Sequence, residues 1–110
     1  MNVPNAHDAV IPDQKLTGYL LDHAHPQNKG KAAFYEIVGF TKTNLSDLRI
    51  ASLTHVLVNE ITKAINTDFG IRYVVEGWTN CPNGKQYPIR SVWSTNNGDK
   101  VPKLVTAYPN

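Results

Sequence analysis

The hydrophobic period of this chain changes once, at about Asn66, and that change limits the fold more than any other feature. Before it, apolar residues recur every three or four positions; after it, they alternate. Ile50, Leu53, Leu57, Ile61, Ala64 and Ile65 share one broad face and predict a long helix from about Leu45 to Ile65, with His55 on the opposite, solvent side. Thr43 or Asn44 would cap it, and Asn44 followed by Asp47 resembles a capping box. Beyond Asn66, "GIRYVVEGW", "YPIRSVWS" and "PKLVTAY" are rich in β-branched and aromatic residues and predict strands. "NCPNGK" and "NNGDK" between them carry Asn-Gly turn signals. Two to three N-terminal helices packed on a C-terminal antiparallel sheet of three to four strands is an α+β fold.

Two shorter helices are predicted upstream. "MNVPNAHDAVI" reads as an extended arm. In "PDQKLTGYLLD", Pro12 suits a first helical position and Asp13 its positive end, while Leu16, Tyr19 and Leu20 share a face. The next helix starts at about Asn28 or Gly30 and ends at Val38, with Ala33, Phe34, Ile37 and Val38 as its buried stripe. Gly39 is its left-handed cap, and Phe40 folds back onto it.

At 110 residues the chain is read as a single domain, with arm and helices over 1–66 and the meander over 67–110. The formal charge of +2 permits a nucleic-acid partner without announcing one. The lone Cys81 excludes an internal disulfide, and there is neither a leader pattern nor a long apolar run. These features predict a cytoplasmic protein without membrane association. His7, His23, His25 and Cys81 match no familiar zinc spacing, and glycine-rich phosphate loops and nucleophile elbows are missing, so no metal or cofactor is expected.

One stretch runs against helix electrostatics. "HPQNKGK" places His25, Lys29 and Lys31 at the start of a helix, the end that already carries positive charge. Either these are solvated cations or an anion is held there. In the sheet, Arg90 stands between Ile89 and Val92, as a solvated residue or as a planar phosphate clamp. Thr106 and Tyr108 lie two apart on one face of the last strand. Trp78 and Trp93 are packing residues first, with base stacking as their second reading. Register decides whether these groups meet. A tight Asn97-Gly98 hairpin pairs Ile89 with Thr106 and sends Arg90 to the other face, whereas a one-residue shift reverses this.

The motifs resemble those of an uncharacterised family of small bacterial domains. They are Pro4-Asn5-Ala6 with Ala9-Val10-Ile11; His25-Pro26 with Lys31-Ala32, Phe34 and Gly39-Phe40; and Val75-Glu76-Gly77, Pro82-Asn83-Gly84, Val92-Trp93 and Leu104 to Pro109. Tyr35 stands where that pattern has Phe. The layout is similar to that of the barnase, EndoU, colicin and RelE-like ribonucleases, which cleave RNA without metal. The resemblance implies a metal-independent endoribonuclease, the toxin of a toxin–antitoxin or effector–immunity pair, with a cognate antitoxin or immunity partner. Attack of the ribose 2′-OH would leave a cyclic phosphate, with His25, Lys31, Arg90, Thr106 and Tyr108 catalytic and Lys29 and Trp93 binding RNA. The alternative is a non-catalytic antitoxin, immunity or adaptor domain that docks a partner on the closing "LVTAYP" strand.

Overall fold

A computed structural model describes residues 1–110. After the arm and a 3₁₀ turn at Ala6–Asp8 come α1 (Asp13–Lys15), α2 (Lys31–Ile37) and α3 (Leu45–Val58). Strands β1 (Ile61–Thr67), β2 (Gly70–Asn80), β3 (Gln86–Asn96) and β4 (Lys103–Pro109) follow, antiparallel in chain order. The α+β class and the order of elements are as the period change predicts. No helix is long and apolar enough to cross a membrane.

The α1 turn runs straight into a π-helical turn, Leu16–Leu20, closed by a bond from the Leu21 N–H to the Leu16 carbonyl at 2.9 Å. Leu16 and Leu20 are buried, as their spacing predicts. Asn28 then joins this turn to α2. Its Oδ1 accepts from the Ala32 N–H, capping the helix, while its Nδ2 donates to the carbonyls of Tyr19 and Leu20. Gly39 has φ +107, and the Phe40 N–H reaches the Tyr35 carbonyl, which is the predicted left-handed termination.

The phase of the helices differs from the prediction. On α2 the buried residues are Ala32 and Tyr35, with Val38 just beyond, while Ala33 and Ile37 face solvent. Tyr35 can enter the core because its hydroxyl donates to the Ala107 carbonyl at 2.8 Å. On α3 the buried residues are Leu48, Ser52, His55 and Val56, and Ile50, Leu57 and Val58 are exposed. The helix also stops at Val58, because Ile61–Thr67 pairs with β2 as an edge strand. A run such as "ITKAINT" satisfies both periods, and hydrogen bonding to β2 decides between them. The capping box lies one turn earlier than predicted, between Thr41 and Asn44.

The core lies between α3 and one face of the sheet, around Val75, Trp93, Leu104, Phe40, Leu48 and Val56. His55 is its polar centre, although the helical period places it at the surface. Its Nε2–H donates to the Ile89 and Gly77 carbonyls at 3.0 and 3.2 Å, and its Nδ1 accepts from the Ser91 hydroxyl at 2.8 Å. Ser91 Oγ in turn accepts from the Trp93 indole N–H at 2.8 Å. With every group partnered, the burial of a neutral imidazole is tolerated.

The β1–β2 hairpin depends on one glycine. Gly70 has φ +146, and a Cβ there would lie 2.2 Å from the Thr95 carbonyl oxygen. Gly70→Ala is therefore expected to destabilise the fold by about 2–4 kcal/mol, seen as a lowered urea midpoint at unchanged m-value.

Candidate functional site

The face of the sheet turned away from α3 carries the polar groups. Its register is set by a β-bulge between Val92 and Trp93, with Val105 as the extra residue on β4. Trp93 pairs with Leu104, but past the bulge Val92 pairs with Thr106 and Arg90 with Tyr108. Without that extra residue Arg90 would lie opposite Ala107, a core position. The bulge thus puts Arg90, Thr106 and Tyr108 on one face.

The π-helical turn and the loop before α2 complete the cluster from the β4 edge. The Tyr19 hydroxyl shares a 2.9 Å hydrogen bond with Thr106 Oγ1. Lys31 Nζ stands 5.6 Å from the Tyr19 ring centre and 5.5 Å from that of Tyr108, and the Arg90 guanidinium lies 5.9 Å from Tyr108 on the sheet side. Lys15 Nζ is 5.1 Å from the Tyr19 ring, so cations and rings alternate from Lys15 to Arg90. Glu76, directly across from Arg90, accepts from its Nε–H at 3.0 Å. It is the only carboxylate in the four strands. The Tyr108 hydroxyl, and then Glu76, hold the Arg90 guanidinium further above its ordinary range.

Of the residues singled out from sequence, Lys31, Arg90, Thr106 and Tyr108 meet here. Lys29 joins them at a recess of about 220 Å³ that it lines with Lys31 and Tyr108. His25 packs edge-on to Tyr19, ring centres 4.9 Å apart, and its Nδ1 accepts from the Gln27 N–H at 3.0 Å. The neutral ring therefore carries its proton on Nε2. Lys31 also has a structural use: its ammonium donates to the carbonyls of Gln27 and Asn28, both at 3.2 Å, tying down the loop it follows.

Trp93 does not belong to this surface. It is fully buried, so its indole is not available to a base: along β3 it alternates onto the core face with Ile89 and Ser91. Sequence reasoning missed Tyr19 and Glu76. Tyr19 was read as part of an apolar stripe, although a hydroxyl on that stripe needs a partner; Glu76 becomes legible only once it is known to face Arg90. No group of three or more His, Cys, Asp or Glu side chains stands together as a metal site: His23 Nε2 pairs with Glu36 at 2.9 Å and His7 with Asp8 at 3.3 Å. Burial pushes the Cys81 thiol up, away from the reactive thiolate.

An α+β fold with a basic, aromatic cluster on the open face of its meander is the class of structure these elements define. The chain belongs to the family described as "Domain of unknown function (DUF6883)", whose model matches residues 2–110. Among solved structures it is similar to a chain of the "Contact-dependent growth inhibition toxin - immunity protein complex from Klebsiella pneumoniae 342". The two are 16% identical with a TM-score of 0.75, over 96% of this chain and 97% of that one, a likeness that shows the fold. No curated protein matches the chain.

Proposed function

We propose that this chain is a metal-independent endoribonuclease, the toxin of a toxin–antitoxin or effector–immunity pair. The observation that carries the reading is that two cations, Lys31 and Arg90, both lie over the Tyr108 ring, 5.5 and 5.9 Å from its centre, with Thr106 and Glu76 on the same face of the sheet. A phosphate seated beside Tyr108 would meet a point charge from Lys31 and a planar fork of donors from Arg90. In the cleavage, the 2′-oxygen bonds to phosphorus as the bond to the 5′-oxygen breaks. Glu76 takes the 2′-OH proton and the Tyr108 or Thr106 hydroxyl gives one to the leaving 5′-oxygen, while His25 Nε2–H is a hydrogen-bond donor to a non-bridging oxygen. The fold it shares with a chain of a toxin–immunity complex supports a place in such a pair, as toxin or as immunity protein. The alternative, a non-catalytic module docking through the β4 edge, has less of that edge to use: Val10 pairs with its start at Pro102 and Leu104, and the Tyr35 hydroxyl bonds the Ala107 carbonyl.

The test is incubation of the purified protein with total RNA in EDTA. The expected result is fragments ending in 2′,3′-cyclic phosphate from the wild type, and none from a folded Lys31→Ala variant. Intact RNA after incubation with folded wild-type protein would overturn the reading.

A further inference from the structure

Each strand contributes one cation to the open face of the sheet. Lys63 lies opposite Val74, Arg72 opposite Ser94, Arg90 opposite Tyr108 and Lys103 opposite Ser94 from the other side. Of these only Arg90 makes an ion pair. Three unpaired cations beside one paired one leave this face with an excess of positive charge suited to a polyanion.

The relief of the face is continuous with the candidate site. A recess of about 380 Å³ holds Lys63, Ile65, Glu76, Arg90 and Tyr108. It shares Tyr108 with the small recess at Lys29 and Lys31, and Ile65 with a third, of about 330 Å³, toward the β1–β2 turn. Phe69, Arg72, Ser94 and Asn96 line that third recess, and Asp68 beside Phe69 does not. From Arg90 to Asn96 along β3 the distance is about 20 Å, six residues at the strand repeat.

Phe69 is unusual there. Its side chain is 79% exposed, so it adds little to the core. Its backbone is nevertheless tied: the Phe69 carbonyl accepts from the Asn97 N–H at 2.7 Å, the Asp68 carbonyl from Asn97 Nδ2 at 2.9 Å, and the Phe69 N–H reaches Thr67 Oγ1 at 3.2 Å. An aromatic ring on a fixed backbone, beside an unpaired arginine and two amide or hydroxyl side chains, has the parts of a base-stacking platform.

We infer that the Phe69–Arg72–Ser94–Asn96 recess is a subsite for an unpaired nucleobase of a single-stranded RNA that lies along the sheet, about 20 Å from the Arg90–Tyr108 pair. The inference rests on the ribonuclease reading for the identity of the strand. Phe69 stacks on the base, Arg72 meets the adjoining phosphate, and Asn96 and Ser94 offer hydrogen bonds to the base edge. A duplex holds its bases in the stack and gains nothing from Phe69.

The test is fluorescence anisotropy with a labelled single-stranded DNA oligonucleotide of about ten residues, which lacks the attacking 2′-OH and survives the experiment. Phe69→Ala is expected to weaken binding about 5- to 20-fold and Phe69→Trp to restore it, with Arg72→Ala weaker by a similar factor. Binding of the same sequence as a duplex should be unchanged by Phe69→Ala. Wild-type affinity in both alanine variants overturns the subsite, as does a wild type that binds no single strand but captures a protein through this face. The RNA cleavage assay separates the two readings. Cleavage by the wild type with unaltered binding in Phe69→Ala removes the subsite alone; Phe69-dependent binding without cleavage removes the nuclease and keeps the subsite.

Discussion

Arg90→Ala is expected to lower the kcat/KM for RNA cleavage by about 10²- to 10³-fold while the protein stays folded. The size of the effect follows from what the guanidinium faces. It stands over the Tyr108 ring that Lys31 also meets, and it is the planar donor at the point where the phosphorane would gather charge. Arg90→Lys should recover only part of the activity, because an ammonium keeps the charge and loses the fork. The fold should survive since the Arg90–Glu76 pair is 37% and 33% exposed and screened by water, and Glu76 keeps a contact from Asn110 Nδ2 at 3.2 Å. Steady-state cleavage of a fluorogenic ribo-oligonucleotide, with circular dichroism as the control, measures both. Wild-type rates from Arg90→Ala would place the chemistry elsewhere on the molecule.

Substituting His55 should have a large effect on stability. His55→Ala removes a buried ring and strands the Ile89 and Gly77 carbonyls, with an expected loss of about 3–4 kcal/mol in urea unfolding. Ser91→Ala should cost less, about 1–2 kcal/mol, and the pair should be non-additive because they share a hydrogen bond. The same residue makes stability fall in acid. Burial lowers the His55 pKa from its ordinary 6.5, against the opposing pull of the Gly77 and Ile89 carbonyls. Between the folded value and 6.5 the unfolded chain therefore binds more protons, and unfolding free energy rises with pH. The contribution is complete above about pH 6.5 and is lost as pH falls through the folded value. Urea midpoints should drop from pH 7.5 to pH 5 in the wild type, and this component of the drop should vanish in His55→Gln. An identical slope in the variant would assign the acid sensitivity to other groups.

Much of the architecture was legible because local signals agreed. Alternation from Gly70 onward, the Asn-Gly turns and the Gly39–Phe40 cap each state their structure within a few residues. Where the reading failed, the local signal was degenerate. "ITKAINT" fits a helix as well as a strand, and only the neighbouring β2 ladder makes it β1. Phase failed on α2 and α3 because an apolar count ranks Ile37 and Ile50 above Tyr35 and His55. A tyrosine with a carbonyl to bond, or a histidine with three partners, can be buried more fully than an isoleucine without neighbours.

The candidate site divides in the same way. By itself the sequence determined which cations and hydroxyls were available, Lys29, Lys31, Arg90, Thr106 and Tyr108, and that most of them lie in or beside a sheet. Only the tertiary structure decided that they meet, and it did so through one residue. Val105, the extra residue in the β4 bulge, shifts the register by one past Trp93, and in a strand a shift of one turns every side chain to the opposite face. The same shift that carries Ala107 inward, opposite Ser91, leaves Arg90 across from Tyr108 on the open face. Side-chain alternation is local, but the count of residues between two paired strands is set by hydrogen bonds that form only when the sheet does.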